Sequence, residues 1–538
     1  MHKILNFAIS HKISFAYFAA LFLVTCLFLI QAAPEVLGRL GYELMEIANW
    51  DTGMYYAIGK GLSHGIQPYA GLYENKPPMI FLLSAISYKI TNGFYLVNIF
   101  SFLSFLVVAI LPTVYSLYKG ITNKLNPVAI VAISCSVLYI SLFLATFAEL
   151  RSGEVQVEIF GAAALFLSFF SMGLQKSKSK IYSPSIVISG VFLGMATMFK
   201  EPFFLLGVAA LLFYVRQPKD FFYRFALPIA YAAFFSLLLL LVTKSFIPYF
   251  TIYLANMFGS HLSIYGSPWD RASQIFRIFD DIGHYSKALE VCIYALITVN
   301  IIIYTKKWTE SHSTYEKILS FLQIFWIFVA LYAASFAVGL GGQYYNHHHI
   351  FALPFYGILI YNIINYCSSP CCGNKQIQLN FITAIVLACF LGTGFSNLPE
   401  FKVNENVIRD IQRSKDNAMY LDEVLDALGE TRYLFVGFNG YHPYAYTKHD
   451  VIGPSFVQDR NNFSSDSTFF SKKLGKQFDS ANVVVFAYFN MDKMTPKVIS
   501  TLNNCFTKKL PYALQKIQRP DSFRYDLHFR IKKDCSYL

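Results

Sequence analysis

About eleven apolar runs, near 13–32, 94–118, 127–147, 156–174, 185–199, 201–215, 225–246, 288–304, 318–338, 350–366 and 379–396, divide this chain into membrane-length pieces. In lipid each such piece must satisfy its own backbone hydrogen bonds, so a run of this kind dictates a helix. The composition agrees: of 538 residues, 55% are hydrophobic, 17% aromatic and only 14% charged, with a mean hydropathy of +0.43. These values exclude an ordinary soluble domain. The formal net charge of +12 sits in short clusters between apolar runs, where it sets topology. No nucleic-acid partner is expected.

The first run follows His2, Lys3, His11 and Lys12 without a clear small-residue cleavage site, which predicts a retained span and a cytoplasmic N-terminus. Met79–Ile90 is shorter and follows two prolines, as a juxtamembrane helix at the interface would. With that segment left out of the count, Lys119 and Lys124, then Lys176, Lys178 and Lys180, then Arg216, Lys219 and Arg224, then Lys306, Lys307 and Lys317, then Lys375 all fall on the cytoplasmic side. The outer face then receives the first loop at 33–93, Glu149–Glu158, Lys200–Pro202, 247–286, Gly341–His349 and everything after Asn397. From about Leu398 hydrophobicity drops, and short apolar strands at Tyr433–Phe438 and Val483–Tyr488 alternate with amphipathic segments such as Asp416–Leu428. The expected fold is therefore a polytopic α-helical membrane protein, 1–396, followed by an extracytoplasmic α/β domain, 397–538.

Cysteines carry little chemistry. Cys26, Cys135, Cys292 and Cys389 lie in apolar runs as small hydrophobes. Cys367, Cys371 and Cys372 lack the matching pairs of a zinc site. Cys505 and Cys535 share the outer tail, where a disulfide between them stays open.

The ionisable residues collect at one membrane face. The segment Asn49–Pro78, NWDTGMYYAIGKGLSHGIQPYAGLYENKPP, holds Asp51, Glu74 and Lys76 between apolar stretches, with Trp50 and the Tyr55-Tyr56 pair of a type that anchors at headgroup depth. Glu149, Arg151, Glu154 and Glu158 crowd the second outer loop, where charges at a span boundary imply partners or function. Phe199-Lys200-Glu201-Pro202 joins two apolar runs, and a Lys-Glu pair closing a tight turn is the plain alternative to a phosphate contact there. Gly342-Gln343-Tyr344-Tyr345-Asn346-His347 opens a late span, with Pro354 seven residues on. His347, His348 and His349 are consecutive, and side chains about 100° apart around a helix do not converge on one ion.

The order of these motifs resembles glycosyltransferase family 39, the dolichyl-phosphate-mannose protein mannosyltransferase and aminoarabinose transferase type, within the glycosyltransferase C superfamily. The likeness implies a glycosyltransferase C-like membrane domain and an aspartate, here Asp51, that opens the active site. A sugar transfer needs a carboxylate near the acceptor hydroxyl or amine to take its proton, and Asp51 is expected to be that base. Lys76, before the double proline, aligns with the lysine that contacts the lipid-linked phosphate, where a fixed cation would stabilise the leaving group. Lys200 and His347 are expected to join it. Glu154 and Glu158 stand as acidic support or cation ligands, and Trp50, Tyr55, Tyr344 and Tyr345 as substrate-lining aromatics. The chain departs from the family at Thr52, where Glu is usual, at Glu201, which replaces a small residue, and at Gln343, where Arg is common.

The function so implied is inverting transfer of a sugar from a polyprenyl-phosphate donor to a lipid, glycan or protein acceptor at the extracytoplasmic face, among membrane lipids and in a bacterial inner membrane. Nucleotide sugars are not indicated, because Gly437 and Gly440 lack phosphate-loop spacing. A divalent cation, Mg²⁺ or Mn²⁺, stays open, since Asp51 and Glu154 are far apart in the sequence. A transporter or flippase is the alternative. Such proteins place charges at mid-bilayer and repeat their halves, and this chain shows neither.

Overall fold

A computed structural model describes residues 50–125, 127–150, 156–175, 183–261, 287–339, 346–368, 405–436, 442–453, 469–487, 496–507 and 527–533, with a few isolated positions besides. Helices dominate up to residue 368. They are α1 (Trp50–Ser63), α2 (Met79–Thr91), α3 (Tyr95–Thr122), α4 (Pro127–Leu150), α5 (Val157–Gly173), α6 (Pro184–Phe199), α7 (Pro202–Leu212), α8 (Pro218–Val242), α9 (Lys287–Glu310) and α10 (Thr314–Gly339). A 3₁₀ turn, Asn346–Ala352, then leads into α11 (Leu353–Cys367).

Six helical stretches among the described residues are long and apolar enough to cross a membrane: Tyr95–Thr122, Ala129–Thr146, Pro218–Val242, Glu290–Glu310, Thr314–Gly339 and His348–Cys367. Each coincides with an expected span. The runs near 156–174, 185–199 and 201–215 form the shorter helices α5, α6 and α7, of 17, 16 and 11 residues. Those near 13–32 and 379–396 lie outside the described residues. The chain is an integral membrane protein. Large apolar side chains such as Phe234, Leu241, Phe321 and Phe328 are exposed on its long helices, as lipid-facing positions should be.

Prolines and glycines shape the helices locally. Pro184 and Pro202 open α6 and α7, where a missing N–H costs nothing. α2 starts directly after Pro77-Pro78 and stops at Asn92, which takes the left-handed conformation (φ 51°) that Asn tolerates better than most residues. Gly161 faces Phe203 so closely that a Cβ on it would lie 2.2 Å from the ring, so α5 and α7 approach only because that side chain is absent.

The chain divides into two compact units. One comprises Met1–Gly41, Phe100–Ser236 and Gly266–Lys402. Its interior is aromatic: Tyr361 stacks on Tyr115 at 5.3 Å and meets Phe169 edge-on at 4.8 Å, while Tyr214 donates a 2.7 Å hydrogen bond to the Phe169 carbonyl.

The other unit comprises Tyr42–Ile99, Leu237–Tyr265 and Val403–Leu538, so the first loop shares it with the C-terminal region. That region is α/β. It adds α12 (Glu405–Ala427), β1 (Arg432–Val436), α13 (His442–Tyr446), β2 (Asp450–Ile452), α14 (Phe469–Ser480), β3 (Val483–Ala487), α15 (Pro496–Cys505), β4 (Phe506–Thr507) and β5 (Leu527–Lys532). The sheet runs β2-β1-β3-β5-β4. Its first three strands are parallel, with Leu434 opposite Val484, and β5 returns antiparallel, with Val485 opposite Phe529. The hydrophobic runs of β1 and β3 are buried, as central strands with cover on both faces require.

Candidate active site

Asp51 lies in the first turn of α1, where a carboxylate is favoured by the helix dipole, and it keeps part of its surface exposed. The residues after it turn inward. Thr52, Tyr55, Tyr56 and Lys60 are fully buried. Tyr55 packs against Phe81 of α2 at 6.5 Å, and Tyr56 stacks on Phe94 at 4.1 Å while its hydroxyl donates to Asn98. Gly59 makes this seam feasible. A Cβ there would stand 2.3 Å from the Ser84 Cβ.

Between α1 and α2 the chain forms the loop that carries Lys76. An aromatic floor of Tyr69, Phe81, Tyr249 and Tyr253, with centroids 5.0 to 6.1 Å from Tyr69, supports it from below. The Tyr69 hydroxyl donates to the Lys76 carbonyl at 2.8 Å, and Asn256 donates at 2.7 Å to the Tyr73 hydroxyl, which in turn donates to Asn75. The Lys76 ammonium itself lies 4.0 Å from the Glu74 carboxylate; Glu74 is buried, whereas the Lys76 side chain retains 15% exposure. A pinned backbone with a partly open cation at its tip can receive an anion without reorganising.

In the first unit, the Lys200 ammonium donates a 2.7 Å hydrogen bond to the Glu158 carboxylate and lies 5.9 Å from the centre of the Phe351 ring. Glu158 is fully buried. The lysine thus pairs across 42 residues with Glu158, where the sequence pointed to its neighbour Glu201 as the plain partner. Phe351 belongs to the 3₁₀ turn that begins at Asn346, so this turn is brought beside Glu158 and Lys200. Within it, the His348 ring is buried and meets the Val338 carbonyl at 3.2 Å. His347 occupies the same turn. Glu154, Tyr344 and Tyr345 lie outside the described residues. Among the described residues no group of three or more His, Cys, Asp or Glu side chains is arranged to hold a metal ion.

Sequence reasoning missed Lys60. Its ammonium, buried in α1, donates to three main-chain carbonyls of the C-terminal region: Tyr444 at 3.2 Å, Thr447 at 2.6 Å and His449 at 2.7 Å. Burial lowers its pKa from 10.5 to about 8, while the charges of Asp450 and Asp422 oppose that fall. The signal available in the sequence was a lone lysine amid Ala57-Ile58-Gly59 and Gly61-Leu62. Nearby, His64 bonds Asp450 at 2.7 Å, and Lys473 donates at 3.2 Å to the Tyr69 carbonyl. The Lys473 ammonium is crowded enough by protein that its pKa falls to about 7, although the side chain keeps some surface.

Membrane-length apolar helices and an α/β tail define a polytopic membrane protein, with an acidic and a basic side chain, Glu74 and Lys76, held in one loop. Residues 75–247 match the family model described as dolichyl-phosphate-mannose-protein mannosyltransferase. That segment, about a third of the chain, is similar to the family that the order of the motifs resembles. Lys76, Glu154, Glu158 and Lys200 fall inside the matched segment, and Asp51 lies upstream of it. Among solved structures, the chain is similar to ArnT from Cupriavidus metallidurans bound to undecaprenyl phosphate, at 12% identity and a TM-score of 0.45 over 94% of this chain and 98% of that one. No curated protein matches the chain.

Proposed function

We propose that this protein transfers a sugar, with inversion, from a polyprenyl-phosphate donor to a lipid, glycan or protein acceptor at the extracytoplasmic face of a bacterial inner membrane. The observation that carries the reading is the Lys76 loop: a partly exposed ammonium 4.0 Å from buried Glu74, its own carbonyl anchored by Tyr69, at the start of the family-matched segment. Lys76 holds the donor phosphate. Lys200, hydrogen-bonded to Glu158, and His347 are assigned as further phosphate contacts in this reading, with Glu154 and Glu158 as acidic support. Trp50, Tyr55, Tyr344 and Tyr345 are the substrate-lining aromatics of this reading.

The reaction balances without an added reactant. The acceptor oxygen or nitrogen attacks the anomeric carbon as its proton passes to the Asp51 carboxylate. The bond from that carbon to the phosphate oxygen breaks, and its electron pair leaves on polyprenyl phosphate. Charge therefore grows on the phosphate in the transition state, where a pre-placed lysine acts most strongly. The N-terminus is cytoplasmic in this reading and the C-terminal domain is outside, as the basic loops require.

Lys76→Met tests the assignment. Transfer from a radiolabelled polyprenyl-phosphate sugar by the purified protein in liposomes should fall about 100-fold, the scale of losing one charge-stabilising group. Transfer within threefold of wild type would remove Lys76 from the reaction.

A further inference from the structure

α1 bears the proposed base at its start and Lys60 nine positions later, one helix carrying both. A helical lysine that is fully enclosed and points its ammonium at three carbonyls is costly, since a buried charge needs dedicated partners. All three acceptors, Tyr444, Thr447 and His449, come from the short stretch 444–449 between β1 and β2, 384 to 389 residues away in the chain. A second contact flanks the first: His64, one residue past the end of α1, bonds Asp450, the first residue of β2. The acceptor stretch is itself braced. Asp422 of α12 accepts from the Thr447 hydroxyl and, at 3.0 Å, from the Lys448 amide, and the His449 ring meets Asp426 at 3.1 Å. The α/β domain thus presents a preformed ring of carbonyls to one side chain of α1.

We infer that Lys60 is a positioning residue: it clasps the C-terminal domain onto α1 and so fixes the orientation of the helix that carries Asp51. The three carbonyls receive the ammonium directly, and the domain's part in transfer is to hold that helix. This assignment rests on the proposed role of Asp51 for its catalytic half, while the clasp stands on geometry alone.

The test uses the full-length protein in liposomes of phosphatidylethanolamine and phosphatidylglycerol, as wild type, Lys60→Met and Asp450→Asn. Hydrogen exchange reads the clasp. In Lys60→Met the amides of α1 and of 444–449 should exchange at least tenfold faster while β1 and β3 stay protected; in Asp450→Asn, which weakens the flanking His64 contact and removes one charge near Lys60 but keeps the ammonium and its three carbonyls, the same amides should speed up about threefold. Sugar transfer reads the positioning: kcat of Lys60→Met should fall tenfold or more with donor KM within threefold, because the phosphate site is intact and the base is misplaced. Unchanged exchange in both variants overturns the clasp. Faster exchange with unchanged kcat overturns the positioning role, and loss of protection throughout β1 and β3 in Lys60→Met leaves the milder Asp450→Asn variant to decide by the same two readouts. A wild-type protein that transfers no sugar while Asp51→Asn behaves identically would sink the enzyme reading and the positioning role with it, and the exchange data would still decide the clasp.

Discussion

Removing Lys200 should cost more than any exposed ion pair could, and the amount follows from its surroundings. Its ammonium sits 2.7 Å from a Glu158 carboxylate that is fully buried. At an effective dielectric of about 20 the gross attraction at that distance is about 6 kcal/mol. Desolvation of both ions takes much of that back, but the variant that loses one partner still carries the buried carboxylate. Lys200→Met is therefore expected to destabilise the protein by about 3 kcal/mol. The Glu158→Gln/Lys200→Met double variant should recover most of that loss, because neither position then carries a charge. Unfolding in mixed micelles, followed through a four-member mutant cycle, should give a coupling of about 2 kcal/mol or more. Additive single effects, within about 0.5 kcal/mol, would refute the pair.

Three further outcomes follow from packing, linkage and covalent structure. Gly59→Val should destabilise the α1–α2 seam by about 1–3 kcal/mol, measured by thermal unfolding in detergent, because its Cβ would start 2.3 Å from Ser84. Lys60 titrates near pH 8 when folded and near 10.5 otherwise, so between those values the unfolded chain holds the proton more tightly and wild-type stability should rise with pH relative to Lys60→Met. The gain should approach about 3 kcal/mol by pH 10.5, and a pH-independent difference would contradict it. Cys505 is disulfide-bonded and its carbonyl accepts from the Lys533 amide at 2.7 Å; Cys535, the partner the sequence left open, lies outside the described residues, and non-reducing peptide mapping is expected to join the two.

What could be read from the sequence depended on how local the signal was. The runs at 94–118, 225–246 and 318–338 became α3, α8 and α10 because a helix in lipid satisfies its backbone within the segment, so hydropathy alone locates it. The β1 and β3 strands were equally visible, since the short apolar runs Tyr433–Phe438 and Val483–Tyr488 contain most of the observed strands Arg432–Val436 and Val483–Ala487. β4 was not: two residues, Phe506 and Thr507, become a strand only because β5 lies beside them. The same limit governs the site. Asp51 and Lys76 stood out as charges in an interfacial loop with a recognisable order, whereas Lys60 owes its meaning to carbonyls nearly four hundred residues later. For Lys200 the sequence offered Glu201 as the plain alternative because it is adjacent in the chain, whereas the Glu158 contact at 2.7 Å is adjacent only in space.

The central claim is that Asp51 takes the acceptor proton during sugar transfer, and its most direct test is turnover of a radiolabelled polyprenyl-phosphate sugar by wild type and Asp51→Asn in the same liposomes. The amide preserves shape and cannot accept the proton as a base, so turnover should fall by about 10²–10⁴-fold with the fold intact. Transfer by Asp51→Asn at the wild-type rate would contradict the account.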